Sequence, residues 1–179
     1  MQIPDLHTAR LRLVAITPAV LDIQESFPKD LGAFLDAAIP PSWPNSDWEP
    51  HVYSFMRAQF RNYPHTIGWH RYVLLREGDS LTLIGSLGSH PLGADEAEIG
   101  YGILDPWQNK GCATEAARTL LGHLFHSGLR RIRAQTYPHL AASLRVMQKC
   151  GMHPAGLGEE AGAVCYSIER EQFVRLSSP

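Results

Sequence analysis

The sequence predicts a single α/β domain, and three observations support this fold class. The chain has 179 residues, a length typical of one domain with its own core. Hydrophobic residues make up 44% and charged residues 19%, a balance that argues against disorder or a fibrous repeat. Segments that alternate in polarity are interspersed with segments of helical spacing, and no internal repeat or long linker separates them. We therefore treat residues 1–179 as one domain.

Charge and cysteine content narrow the class of protein. Sixteen basic and eighteen acidic residues leave a formal charge of -2, which gives no general electrostatic reason to bind nucleic acid or an anionic membrane. The three cysteines are odd in number and form no CxxC pair, so neither a disulfide framework nor a zinc knuckle is predicted. The N-terminus lacks the apolar run of a secretory signal, and no later stretch approaches a membrane span. We expect a soluble protein of the reducing cytoplasm, monomeric or homodimeric.

In the first half of the chain, alternation, prolines and one turn predict the elements. Leu11 and Leu13 alternate with arginines, which is typical of a half-exposed strand. Pro18 favours a helix start, and the prolines within residues 40–44 end regular structure. A Gly-Asp pair at 78–79 supplies a turn between two apolar runs. The predicted order is strand 8–17, helices 18–26, 29–38 and 50–62, and paired strands 69–76 and 81–89.

In the second half, helical spacing is the stronger signal. One helix face carries apolar residues at i, i+4 and i+8, namely Ala116, Leu120 and Leu124 beside Ala117, Leu121 and Phe125. Gly151 fits the C′ position of a later helix, with Met152 close to Met147 across the cap and Pro154 just beyond. The predicted order is strand 97–104, helix 114–126, strand 131–137, helix 141–150 and a last strand at 164–168.

Residues 103–114 leave a predicted strand and open a predicted helix. The first amides of a helix have no internal partner and lie at its positive end, so they suit the pyrophosphate of a cofactor. Gly111, Cys112 and Ala113 leave that approach unobstructed. Neither a Walker loop nor a GxGxxG motif is present, which disfavours a mononucleotide or dinucleotide loop.

These residues resemble the GNAT superfamily of N-acetyltransferases, and within it the RimJ/RimL-like branch that acetylates protein N-termini. Residues 108–113 match the signature Q-x-x-G-x-A, within a wider likeness over residues 97–116. Residues 138–152 resemble the second motif, P-E-N-x-x-S-x-R-V-x-x-K-x-G-F. The weaker matches are Arg10, Leu11, Arg12 and Leu13, with Tyr166, Ser167 and Ile168.

The resemblance implies a mixed, mostly antiparallel twisted sheet flanked by helices, whose central strands 97–104 and 131–137 diverge to admit acetyl-CoA. It also implies that backbone amides hold the pyrophosphate and that Ile103 and Leu104 pair with the pantetheine arm. The residues that carry these amides are Gln108, Asn109, Lys110, Gly111, Cys112, Ala113 and Thr114. Ser143 matches the serine of the second motif and joins this cofactor-binding set.

Acetyl transfer needs a neutral amine, although lysine-type amines with a pKa of about 10.4 are mostly protonated at neutral pH. In an unbroken strand Glu98 shares one face with Gly100 and Gly102, which leave space for a ligand beside a carboxylate. Glu98 is therefore our candidate base, and a surface carboxylate is the alternative. Ser143 is the candidate proton donor to the thiolate, or else a helix cap. Tyr166 is a further candidate acid, or a packed tyrosine.

Several features leave alternatives open. Leu140 stands where the family usually has Asn, and the connection 156–164 is shorter than RimJ/RimL-like proteins often have. A non-catalytic acyl-CoA sensor and a small-molecule aminoglycoside or polyamine acetylase are thus rival hypotheses. Trp43 and Trp48 either form an aromatic wall over the acceptor, as the corresponding region does in the family, or pack on the core.

Cys112 and the pair His123 and His126 could act as a nucleophile and as metal ligands, but we expect neither role. Cys112 lies at a helix start, yet direct transfer needs no enzyme nucleophile, so we expect a packing residue. His123 and His126 stand three apart with no third ligand nearby, so no metal is expected.

Overall fold

The computed structural model describes residues 3–177, which form one eight-stranded sheet and six α-helices. The ends of the predicted domain, residues 1–2 and 178–179, lie outside the described residues. The strands are β1 (Leu6–His7), β2 (Leu11–Ala15), β3 (Arg71–Glu77), β4 (Ser80–Pro91), β5 (Glu96–Ile103), β6 (Arg131–Thr136), β7 (His153–Leu157) and β8 (Val164–Glu169). The helices are α1 (Pro18–Ser26), α2 (Leu31–Leu35), α3 (Pro50–Asn62), α4 (Cys112–His126), α5 (Ala141–Lys149) and α6 (Arg170–Ser177).

The sheet order is β1-β2-β3-β4-β5-β6-β8-β7, and every pairing is antiparallel except that of β5 with β6. The parallel pairing runs only from Glu96–Arg131 to Glu98–Arg133. Beyond Glu98 the two strands separate, whereas β5 stays paired with β4 as far as Ile103. The predicted mixed, mostly antiparallel sheet with diverging central strands is confirmed.

Two apolar clusters fill the two faces of the sheet. On one face, α4 buries both predicted rows, including Ala116, Leu120 and Phe125, against strand residues such as Ile99 and Ile132. On the other face, α1, α2 and α3 cover a second cluster that contains Trp43, Tyr72 and Leu83. The site described below lies where β5 emerges between these two layers.

Local signals determined several element bounds. Helices α1 and α3 span the predicted residues, each with a proline in its first turn. Helix α5 ends as predicted, since Gly151 has φ +82 and the Met152 amide donates to the Met147 carbonyl at 3.0 Å. Together with the Gly151 bond to Gln148, this is a Schellman motif.

Other predictions differ from the structure in extent. The predicted strand 8–17 is confirmed over Leu11–Ala15 as β2, but its first residues form the turn from β1, because the Thr8 hydroxyl accepts the amide of Leu11 and closes that turn. Helix 29–38 is shortened to α2, which ends at Asp36 in a left-handed conformation before Ala38 bonds to β4. The chain after Gly151 forms β7, which the glycine-rich composition of residues 156–164 did not indicate, and α6 follows the predicted last strand.

Candidate active site

A cleft of about 870 Å³ opens where β5 leaves β6. Its walls come from the end of β5, the loop 104–111, the first turn of α4, one face of α5 and the segment 42–47. Nine of the ten residues predicted to bind the cofactor line it: Ile103, Leu104, Gln108, Asn109, Gly111, Cys112, Ala113, Thr114 and Ser143. Lys110 lies on the same loop but does not line the cleft.

The start of α4 forms one wall of the cleft. Gly111 is the N-cap residue, with φ +82, a conformation in which a side chain would be strained. No side chain caps the helix, and its first intrahelical bond runs from the Glu115 amide to the Gly111 carbonyl at 3.0 Å. The amides before Glu115 therefore face the cleft at the positive end of a fifteen-residue helix, an arrangement suited to a diphosphate.

Arg10, which does not line the cleft, holds the loop before α4 in place through hydrogen bonds. Arg10 donates from Nη1 to the Lys110 carbonyl at 3.0 Å and from Nε and Nη2 to Glu115 at 2.8 and 2.6 Å. The Thr8 hydroxyl donates to the same carboxylate at 2.5 Å. Although burial alone would raise the pKa of Glu115, the hydrogen bonds from Thr8 and Arg10 lower it below the ordinary value. The β1–β2 turn thus holds the loop through a charged pair.

The free edge of β5 provides a second wall. Backbone groups of consecutive residues point to opposite sides of a strand. The Leu104 amide donates to Ile84 on the β4 side at 2.8 Å, and the Leu104 carbonyl accepts from Trp107 at 2.9 Å. Both backbone groups of Leu104 are therefore engaged within the protein, which argues against the predicted pantetheine pairing at this residue. The Ile103 amide faces the open edge instead, and its carbonyl accepts from Gln108 Nε2 at 2.8 Å.

Ser143 lies in the first turn of α5, and the structure places it beside a residue that sequence reasoning missed. Tyr101 Oη donates to the Ser143 carbonyl at 3.0 Å and lies 3.4 Å from Ser143 Oγ. Burial raises the pKa of Tyr101 to about 12, so the phenol keeps its proton. The alternative role of Ser143 as a helix cap is wrong, because the N-cap is Leu140 and no side chain caps α5.

Glu98 and Tyr166 lie outside the cleft lining. Glu98 projects from the same face of β5 as Gly100 and Gly102, since the pairing with β4 is unshifted from Ala97 to Ile103. Its carboxylate accepts from Gln135 Nε2 at 2.5 Å. Tyr166, on β8, packs against the apolar cluster under α4, in line with the packed alternative.

Of the two roles left open for Trp43 and Trp48, the segment between α2 and α3 shows packing on the core. Trp43 is buried against Tyr72 and Trp48 in the second apolar cluster, with ring centroids 5.7 and 5.6 Å apart. Polar residues of this segment face the cleft instead: Ser42, Asn45, Ser46 and Asp47. The tryptophans pack on the core and position these side chains.

Two basic residues, Arg145 and Lys149, line the cleft from one face of α5. Because they are four residues apart, they are neighbours on one side of the helix. This i, i+4 spacing is visible in the sequence and could have predicted a basic face of α5. Cys112 is buried, and burial raises the pKa of its thiol, which fits the predicted packing role and not a nucleophile.

The described residues contain neither a candidate metal site nor a membrane-spanning helix. Across residues 3–177, no three side chains of His, Cys, Asp or Glu converge in a way that could hold a metal ion. No helix in the same range is long and apolar enough to cross a membrane.

Comparison with known proteins identifies the family of this domain. The family model described as acetyltransferase (GNAT) domain matches residues 10–153, most of the chain. The chain belongs to this family.

Individual relatives are more distant. The uncharacterized N-acetyltransferase YnaD of Bacillus subtilis is 40% identical over 86 residues, which are 47% of this chain and 49% of YnaD. The FsC-acetyl coenzyme A-N(2)-transacetylase of Aspergillus fumigatus is 31% identical over 98 residues, 48% of this chain and 41% of that protein. The chain thus spans about half the length of the curated relatives it matches.

Among solved structures, RimL, a ribosomal α-N-protein acetyltransferase in complex with coenzyme A, has a TM-score of 0.63 over 93% of this chain and 98% of that one. Its sequence identity of 16% limits the likeness to the fold.

Proposed function

We propose that this chain is an acetyl-CoA-dependent N-acetyltransferase of the cytoplasm that acetylates a primary amine, either a protein α-amine or an amine of a small molecule. One observation carries the proposal: the uncapped start of α4 and the free edge of β5 meet in one cleft. The three cysteines are free and buried, which is compatible with a reducing compartment.

The residues of the cleft fit coenzyme A. The amides of residues 111–114 suit the diphosphate, the Ile103 amide suits the amide groups of the pantetheine arm, and Arg145 with Lys149 suit further phosphate. Bound acetyl-CoA supplies an activated acetyl thioester. The protein contributes position and charge around it.

Three side chains have proposed roles in the transfer. Glu98 takes the proton from the acceptor ammonium, directly or through water, so that the neutral amine can attack the thioester carbonyl. Ser143 donates a hydrogen bond to the departing thiolate, and Tyr101 positions Ser143 through the bonds described above. Because Tyr166 packs against the apolar cluster under α4, we favour Ser143 over Tyr166 in this role.

Calorimetry with coenzyme A and assays of free-thiol release from acetyl-CoA test the proposal. We expect Ser143→Ala to lower kcat with an unchanged Kd for coenzyme A, and Glu98→Gln to lose activity most at lower pH. Tyr166→Phe, the matched control, should retain wild-type turnover. Absence of any affinity for coenzyme A would overturn the proposal. Binding without thiol release over a broad amine panel would favour the sensor hypothesis.

A further inference from the structure

An open notch lies on the acceptor face of β5, over Gly100. A Cβ atom built on Gly100 meets no atom within 4 Å, so this part of the strand faces open space. Glu98 flanks the notch on one side and Gly102 on the other, and all three residues share one face. The cross-strand neighbour of Gly100 is Gly88, so no side chain rises from β4 beside it.

A second carboxylate stands at the far end of the notch. A Cβ atom on Gly102 would lie 3.1 Å from Asp47 Oδ2 and 3.5 Å from Asn45 Nδ2. The Asp47 carboxylate therefore lies directly over Gly102 and also lines the cleft. Four residues of strand separate Glu98 from Gly102, which corresponds to about 13 Å.

The carboxylate of Asp47 is held in place but has no cationic partner among residues 3–177. Asn45 Nδ2 donates to Asp47 Oδ2 at 2.7 Å, and the Trp48 amide donates to the Asn45 carbonyl at 3.1 Å, closing the turn. Asn45 Oδ1 is buried and receives no hydrogen bond in the described structure. The buried Asn45 oxygen therefore lacks a donor, and it belongs to the side chain that holds the exposed carboxylate of Asp47.

Charge is divided along the cleft. The basic side chains, Arg145 and Lys149, come from α5, whereas Asp47 comes from the segment between α2 and α3 and Asp105 from the loop that follows β5. An anionic cosubstrate suits the α5 side, and a cationic group suits the side of Asp47.

From this arrangement we propose that Asp47 binds a second ammonium group of the acceptor, so that the notch selects linear diamines and triamines over monoamines. The inference rests on the proposed function. The reacting amine lies over Gly100 near Glu98, and a methylene chain extends along the strand to Asp47. Because Asp47 is exposed, a charged hydrogen bond of this kind contributes a preference of about two- to fivefold.

The test measures thiol release from acetyl-CoA with spermidine, butylamine and a peptide with a free N-terminus. The wild-type protein should use spermidine with a kcat/KM about two- to fivefold above that for butylamine. Asp47→Asn should bring the kcat/KM for spermidine close to that for butylamine, and the loss should appear in KM.

Glu49→Gln is the matched control, because it removes the same charge from the same segment at a residue that does not line the cleft and pairs with His51. It should retain the spermidine preference. Equal use of spermidine and butylamine, or an equal loss for both in Asp47→Asn, would overturn the inference. Acetylation of the peptide alone would refute it while leaving the proposed function intact, whereas failure to bind coenzyme A would remove the proposed function itself.

Discussion

Replacing Arg10 with alanine releases the loop that precedes α4 without touching any residue of the cleft. The guanidinium donates hydrogen bonds to the Lys110 carbonyl and to the Glu115 carboxylate. It therefore connects the β1–β2 turn with the loop before α4 and with the first turn of α4. Without it, the Lys110 carbonyl turns toward water and the backbone of residues 108–111 gains freedom. Binding of a diphosphate then has to order that backbone again.

The size of the effect follows from exposure. The Arg10 side chain is 46% exposed and that of Glu115 is 22% exposed, so the ion pair contributes less than about 1 kcal/mol. The charged hydrogen bond to the Lys110 carbonyl contributes about 1 kcal/mol more. We expect the free energy of unfolding to fall by about 1 to 2 kcal/mol and the Kd for coenzyme A to rise about three- to tenfold.

The assay is calorimetric titration with coenzyme A, together with thermal unfolding, on the wild type, Arg10→Ala and Arg12→Ala. Arg12 is a matched control because it lies two residues from Arg10, forms an ion pair of 2.7 Å with Asp5 before β1 and has no bond to the loop. Arg12→Ala should lose similar stability but bind coenzyme A as the wild type does. If both variants bind equally well, the loop is ordered without Arg10 and the reasoning is refuted.

Three further outcomes are expected. Burial lowers the pKa of His70 from 6.5 to about 4, so the unfolded chain binds a proton on this imidazole more readily than the folded chain does. The free energy of unfolding should therefore fall by about 3 kcal/mol as the pH falls from 6.5 to 4. His70→Gln should reduce this pH dependence in chemical unfolding, and an unchanged pH dependence would contradict the prediction. Gly100→Val fills the notch and should raise KM for the acceptor about tenfold or more while the Kd for coenzyme A stays constant; an unaltered KM would show that the acceptor binds elsewhere. Leu140→Asn should stabilise α5 by about 0.5 to 1 kcal/mol, because the N-cap position has no side-chain hydrogen bond and Leu140 is 46% exposed. Thermal unfolding measures this change, and a lower melting temperature would show that the packing of the Leu140 side chain outweighs the gain from a cap.

The sequence predicted those parts of the fold in which the signal and the structure lie within a few residues of each other. The bounds of α1 and α3 follow from a proline at the helix start, and the end of α5 follows from Gly151. The loop 104–111 was predictable for the same reason, because a strand, a short turn and a glycine-initiated helix are consecutive in the chain.

Other features depend on residues far apart in sequence. The hairpin of β1 and β2 meets Glu115 more than a hundred positions later through Thr8 and Arg10, and no local pattern encodes that meeting. Strand β7 is exposed along its whole length, so it shows no alternation of apolar residues that could have predicted it.

By itself the sequence determined the class of the domain, the helix that opens at Gly111 and the glycine-rich face of β5. The tertiary structure decided which groups surround that face: Tyr101 beside Ser143, Arg10 behind Lys110 and Asp47 over Gly102. The physical reason is range. Helix caps, prolines and glycines act on their own neighbours, whereas a cleft is formed by segments that only the packing of two apolar clusters on opposite faces of the sheet brings together.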